Sequence, residues 1–390
     1  DDEEEEEEEE EKITEETTKE EQPKGEKKDI AVCITGVSGF IGSHICELLL
    51  DSGYTVHGTV RSTKNMDKYA WIKRLNKTGD DDRLRFFAAN LNDEGSYAKA
   101  IEGCTYVLHV ASPFTLTIKD AQKDLVDPAV NGTLNVLKSC LDAGIKHVVV
   151  TSSMAATTDS PSGDITEADW NTLSSLTRNP YYYSKVMAER AAWKFQKDHD
   201  FPFTLNTINP PMVLGRMNNG YSVNESNKSL CDIVNGAFPV ILDIGFAVVD
   251  VRDVARAHLL AMEATDENAV NQRYICAADS PSLHMRDLIS EMKKVLPDHK
   301  YPTTNFATPF GSFLMKLLSY TQPASMGSFL RTNIGKSSYR LVNSKIKSTL
   351  GLSFHSLEDT FAYTIASLQS WGWISEDGSR LKERLDKSPS

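Results

Sequence analysis

From residue 30 onward the chain alternates between short apolar runs and stretches in which apolar residues return every three or four positions. Strand-like runs fall near residues 30–35, 55–60, 84–88, 105–110 and 146–152, with helix-like stretches near 40–51, 66–76, 94–100 and 121–142 between them. Short β-rich runs separated by amphipathic helices predict βαβ units, which build a parallel sheet covered on both faces. A helix over 180–198 and a strand over 203–208 continue the series, so the expected fold class is α/β with a doubly wound sheet. Beyond Gly215 the alternation loosens. The Gly- and Asn-rich stretch 215–219, a helix-like stretch near 225–235, a Val-rich run at 246–251 and the long 300–340 region predict a smaller lobe. Set over the carboxyl ends of the strands, such a lobe would hold substrate.

Charge changes this picture only at the N-terminus. The first 29 residues carry 17 acidic side chains against five lysines, a net −12, whereas the whole chain carries −13. The body is therefore nearly neutral. Like-charge repulsion without apolar periodicity predicts a disordered acidic tail over 1–29, which argues for solubility or a basic partner and against nucleic acid as its ligand. No run approaches the ~18 apolar residues that cross a bilayer, and none has the form of a secretory segment. A cytoplasmic location with no membrane partner is expected. The chain opens on Asp rather than Met, so processing or truncation is expected, and a removed targeting peptide stays open. The six cysteines (Cys33, Cys46, Cys104, Cys140, Cys231 and Cys276) form no C-x-x-C and read as reduced, buried thiols.

The first strand runs directly into Gly36-Val37-Ser38-Gly39-Phe40-Ile41-Gly42. A buried strand, a glycine turn and a helix present backbone N–H groups to a pyrophosphate, although the bare glycine triplet also suits a structural turn. The second strand ends in Arg61, where a protein choosing NAD places a carboxylate for the adenosine ribose. An arginine there fits the 2′-phosphate of NADP, and Lys68 offers a second positive charge; solvated surface cations are the plainer reading of both.

Tyr181 and Lys185, four apart at the start of the 180–198 helix, share one helix face. An ammonium beside a phenol favours the phenolate, which suits proton exchange with a carbonyl or alcohol oxygen. Tyr182 or Tyr183 as the reacting ring, or an ordinary aromatic and basic pair, remain open from spacing alone. The fifth strand ends in Thr151-Ser152-Ser153, and its C-terminal end points to the same crevice, where a hydroxyl can hydrogen-bond a developing alkoxide, although Thr-Ser-Ser after a strand is also a common turn. His44, His109 and His147 lack metal-ligand spacing and read as structural, so no metal is expected.

Taken in order, the 35–44 stretch, Arg61, His109-Val110-Ala111-Ser112-Pro113, Thr151-Ser152-Ser153, Tyr181-x-x-x-Lys185-x-x-Ala188-Glu189, Asn209-Pro210-Pro211-Met212-Val213-Leu214-Gly215 and the late Val249-Asp250-Val251-Arg252-Asp253-Val254-Ala255-Arg256-Ala257-His258 closely resemble the extended short-chain dehydrogenase/reductases. Over residues 30–370 the chain is most similar to the branch of dihydroflavonol reductases, cinnamoyl-CoA reductases and fungal methylglyoxal and aldehyde reductases. The resemblance implies a Rossmann-type doubly wound parallel sheet, with residues 30–215 mainly an NADP-binding domain. It implies that residues 216–390 are mainly a smaller C-terminal substrate-binding lobe, parts of which return to the first domain.

It also implies that Ser153, Tyr181 and Lys185 are catalytic in an NADPH-dependent carbonyl reduction using the pro-S hydrogen. Cofactor contacts carry over to Gly36, Ser38, Gly39, Phe40, Ile41 and Gly42 in the turn, and to Arg61 and Lys68 at the 2′-phosphate. On the nicotinamide side they fall on Ala111, Ser112, Lys185, Pro210 and Val213. Asn90-Leu91 stands where relatives usually have Asp-Leu beside the adenine, and Thr158 where plant flavonoid reductases hold the flavonoid with an asparagine, which turns expectation toward an aldehyde or ketone. Alternatives are a nucleotide-sugar epimerase or dehydratase, for which Lys228, Arg252 and Arg256 would supply phosphate-binding cations, a 3β-hydroxysteroid dehydrogenase-like enzyme, and a non-catalytic NADP-binding protein. A small-molecule substrate and a monomer or homodimer complete the expectations.

Overall fold

The computed structural model describes residues 27–113, 118–220, 223–236, 238–322 and 324–374. Residues 1–26 of the expected tail lie outside the described residues. The last three, Lys27–Asp29, form a single 3₁₀ turn, and Lys27 is paired with Glu263 at 2.6 Å.

Seven strands make one sheet: β1 (Ala31–Thr35), β2 (Thr55–Val60), β3 (Leu84–Ala88), β4 (Tyr106–His109), β5 (His147–Thr151), β6 (Thr204–Asn209) and β7 (Arg273–Ile275). Their order across the sheet is β3-β2-β1-β4-β5-β6-β7, all parallel, so the winding reverses between β1 and β4. This is the Rossmann-type arrangement, and its reversal point is where such sheets bind ligands.

Both faces of the sheet are apolar because helices cover both. Cys33, Val107, Val148 and Leu205 stand in register across β1, β4, β5 and β6 and point into one core. Ile34, Leu108 and Val149, one residue further on, point into the other. Helices α1 (Phe40–Asp51) and α5 (Val251–Glu263) close the second face; α2 (Asp127–Asp142) and α3 (Pro180–Asp198) close the first.

The C-terminal lobe has its own core. It joins α4 (Glu225–Val234), α6 (Met285–Val295) and α10 (Leu357–Ser370) through Leu230, Leu288, Phe361 and Ile365. Between α6 and α10 lie α7 (Pro309–Leu318), α8 (Ala324–Asn333) and α9 (Ser344–Leu350). A short strand, Tyr339–Leu341, returns to pair in parallel with Gly163–Ile165.

Three expected elements come out differently. The helix over 66–76 is a 3₁₀ turn, Met66–Tyr69, followed by one α-turn, Ala70–Lys73. The helix over 94–100 shrinks to Ala98–Ile101 because Gly95 sits at φ +74°. The stretch 121–142 opens with a π turn over Gln122–Val126. The wider turn accommodates Pro128, which has no N–H for the helical ladder.

Candidate active site

The carboxyl ends of the central strands open onto a cleft of about 950 Å³. After β1 the chain turns through Gly36, Ser38 and Gly39 into Phe40, Ile41 and Gly42 of α1, and all six line the cleft. Gly36 has φ +71°, with a Cβ position 3.1 Å from the Cβ of Ala111. A Cβ on Gly42 would lie 2.4 Å from the Gly36 carbonyl oxygen. Neither position tolerates a side chain. Gly39 caps α1 without a side-chain hydrogen bond, which leaves the first-turn N–H groups for an anion.

Arg61 follows β2 at the cleft wall, exposed and paired with no carboxylate among the described residues. Asn90 and Leu91 line the same end, with Asn90 Oδ1 accepting from the Asn92 N–H at 3.2 Å. Lys68 is not brought to the cleft. Tyr69 takes the buried position of the 3₁₀ turn and leaves Lys68 exposed.

At the end of β4, Thr35 Oγ1 accepts from the N–H groups of Val110 and Ala111, each at 2.9 Å. Its own proton therefore goes to His109 Nδ1, also 2.9 Å away. This staple sets Ala111 and Ser112 in the cleft. Burial, reinforced by the Lys185 cation, pushes the His109 imidazole down to about 3, so it stays neutral. Among the described residues no group of three His, Cys, Asp or Glu is placed to hold a metal.

Pro180 begins α3 and Tyr181 follows it into the cleft, 46% exposed. Lys185 Nζ donates to Ser112 Oγ at 2.9 Å and lies 5.8 Å from the Tyr181 ring centroid. Tyr182 and Tyr183 do not line the cleft, and burial pushes the Tyr182 phenol up. The start of α3 is held from the smaller lobe. Asn179, left-handed at φ 47°, donates its N–H to Ser328 Oγ at 3.2 Å and its amide to Thr332 Oγ1 at 3.0 Å and to buried Asp159.

The two serines after β5 differ, although both line the cleft: the Ser152 hydroxyl is buried and donates to Glu189 Oε2, whereas the Ser153 hydroxyl accepts the Ala155 N–H at 3.2 Å. Pro210 and Val213, after β6, also line the cleft.

Behind these residues lies a network that spacing alone did not show. The Glu189 carboxylate, fully buried one turn after Lys185, accepts from Ser152, Asn209 Nδ2 (2.7 Å), Trp193 Nε1 (3.3 Å) and Arg273 Nε (2.5 Å). Asn209 also donates to the Ser153 carbonyl at 3.2 Å. Arg273 in turn donates to the carbonyls of Glu167 and Asp169 and stacks 3.8 Å above the Trp170 ring. A lone arginine inside the apolar run after Gln272 was the available signal, because a buried cation requires a partner. Asn218 and Asn224 were missed as well. Each lines the cleft with a buried Oδ1 that receives no donor among the described residues, their amide groups being committed to Ser43 Oγ and the Val213 carbonyl.

A glycine turn into an uncapped helix at the reversal point of a parallel sheet, facing a Tyr–Lys pair, defines a dinucleotide-binding α/β protein. Residues 32–277 match the NAD dependent epimerase/dehydratase family. The chain belongs to that family, in the extended short-chain dehydrogenase/reductase branch of cinnamoyl-CoA reductases, anthocyanidin reductases and Gre2-like proteins. It is 38% identical to cinnamoyl-CoA reductase CAD2 of Medicago truncatula over 284 residues, 70% of this chain and 82% of that one. Gre2 of Candida albicans, solved with NADPH, superposes with a TM-score of 0.69 at 30% identity, covering 88% of this chain and 99% of that one. Yeast methylglyoxal/isovaleraldehyde reductase Gre2, also solved with NADPH, gives 0.65 at 27% identity over 88% and 100% of the two chains.

Proposed function

We propose that this protein is an NADPH-dependent reductase of an aldehyde or ketone carbonyl, with Ser153, Tyr181 and Lys185 as its catalytic residues. The observation that carries the reading is one cleft lined by these three side chains together with the uncapped α1 N-terminus and Arg61, which has no carboxylate partner among the described residues. A dinucleotide fits this set: glycines where a Cβ would collide, orphan N–H groups for the pyrophosphate, and a guanidinium fork for a 2′-phosphate. The NADPH-bound relatives support it. When bound, the nicotinamide supplies the hydride to the carbonyl carbon.

The chain's own residues do the rest. Ser153, whose hydroxyl proton is uncommitted among the described residues, hydrogen-bonds the carbonyl oxygen and stabilises its developing charge. Tyr181 delivers the proton to that oxygen from the exposed side of the cleft. Lys185, anchored on Ser112, sets a positive charge beside the ring and offers N–H donors to the nicotinamide ribose. The Oδ1 atoms of Asn218 and Asn224 accept from hydroxyl or amide donors of the bound molecules. The epimerase reading lacks comparable support. Lys228 pairs with Asp232 and Arg252 with Asp250, and neither these nor Arg256 lines the cleft.

NADPH oxidation, followed optically against aldehydes, α-dicarbonyls, dihydroflavonols, ketosteroids and cinnamoyl-CoA, tests the proposal. Turnover of at least one class with NADPH preferred over NADH is expected, and Tyr181→Phe should lower kcat roughly 10²–10⁴-fold while NADPH binding persists. Phe at Tyr182 or Tyr183 should be tolerated. Turnover of no class, or a fully active Tyr181→Phe, would overturn it.

A further inference from the structure

Helix α7 (Pro309–Leu318) is apolar apart from Ser312 and Lys316, and a helix of that composition is normally covered over most of its surface. The lobe covers only one side. Gly311 is buried against the Phe306 backbone and Met315 packs on the lobe core, while Phe310 and Phe313 stand 76% and 66% exposed. Five of the eleven large hydrophobic side chains exposed among the described residues fall between Phe310 and Tyr320. Phe310, Phe313 and Leu317, at i, i+3 and i+7, form one face of α7.

Charge says what meets that face. Between Asp298 and Glu358 the sequence has seven Lys or Arg and no acidic residue. Arg340 and Lys347 are spent on Asp164 and Asp279. Lys316, on α7 itself, lies 3.8 Å from the Cβ position of Gly335, next to Lys336; Arg331 sits 4.5 Å over the Tyr320 ring. None of these three pairs with a carboxylate among the described residues. A second copy of the chain would, in a two-fold pairing through this face, set like cations against each other. The acidic N-terminal stretch has the complementary charge but only Ile13 as a large apolar side chain, too little to cover three.

We propose that α7 docks on an anionic membrane surface, with Phe310, Phe313 and Leu317 among the acyl chains and Lys316, Arg331 and Lys336 at the lipid phosphates. Among the described residues no helix is long and apolar enough to cross a membrane, so the attachment is peripheral. None of these side chains lines the cleft, so the proposal stands apart from the reductase reading.

The test is sedimentation of the full chain with phosphatidylcholine vesicles prepared with and without phosphatidylserine. Binding to the anionic vesicles only, falling as salt is raised, is the expected result. A Phe310→Ser/Phe313→Ser/Leu317→Ser variant should lose it entirely, and Lys316→Glu should weaken it roughly tenfold. Both variants should keep the circular-dichroism spectrum and NADPH oxidation rate of the parent. Absence of binding to anionic vesicles, or binding that survives the triple substitution, overturns the proposal. A parent dimer that the triple variant converts to monomers, without vesicle binding, assigns the face to a second copy and overturns it equally.

Discussion

Glu189 is a buried side chain behind the cleft that holds the residues proposed for catalysis. Its carboxylate ties α3 to the Ser153 loop through Ser152 and Asn209, and to the Glu167–Asp169 backbone through Arg273. In Glu189→Gln one donor loses its acceptor and Arg273 loses its counter-charge. Breaking a buried pair typically costs about 3–5 kcal/mol, so the thermal midpoint should fall clearly. Misplacing reacting groups by about 1 Å can cost on the order of 10²-fold, so kcat should fall by roughly ten- to a hundredfold with the NADPH dissociation constant little changed. Steady-state kinetics and cofactor fluorescence separate the two effects; an unchanged kcat in a folded variant would remove the positioning role. The glycines, Arg61 and the Tyr181–Lys185 pair are readable in the sequence because each is a local spacing. The partnership of Glu189 with Arg273 is not, since 84 positions separate them and only the sheet brings them together.

Among elements, α3 and α8 connect the start of the Tyr181 helix to the smaller lobe. Asn179 caps α3 two residues before Tyr181 and is held by Ser328 and Thr332 of α8. Asn179→Ala removes the side-chain bonds to Thr332, Asp159 and Ser328 and also strains a left-handed backbone, whereas Asn179→Gly removes those bonds alone; the Asn179 N–H bond to Ser328 Oγ survives in both. Alanine should be the less stable by about 1 kcal/mol, and both should reduce kcat; thermal melts and initial rates distinguish strain from lost clamping. Equal stability of the two would show that the backbone relaxes. The strands were legible as apolar runs because both faces of the sheet are buried. The short elements at 66–76 and 94–100 were not, because helical periodicity persists in sequences that Tyr69 and Gly95 turn into single turns.

Across the whole molecule, several imidazoles are buried in neutral form. Burial holds His109 down to about 3 and His258 to about 4; His258 Nδ1 donates to the Val254 carbonyl and Nε2 accepts from Thr151. In the unfolded chain both titrate near about 6.5. Below that pH the unfolded state takes up protons that the folded state refuses. Stability is therefore complete above about pH 6.5 and lost as pH falls toward 4, by up to roughly 1.4 kcal/mol per pH unit for each histidine. Asp253, raised by burial, opposes the loss only near the carboxylate range. Thermal midpoints between about pH 7 and about pH 5 should show this slope, and His258→Gln should make it shallower; a flat profile would contradict the neutral assignment.

The late return of Tyr339–Leu341 to Gly163–Ile165, across 176 positions, has a bearing on how the protein is made. A nascent chain released only through β6 already contains the glycine turn and the Tyr–Lys pair, yet β6 is then an open edge awaiting β7. Unpaired edges are templates for aggregation, and such distant parallel pairings close slowly. On the ribosome, the half that carries the glycine turn and the Tyr–Lys pair emerges before the segments that seal it.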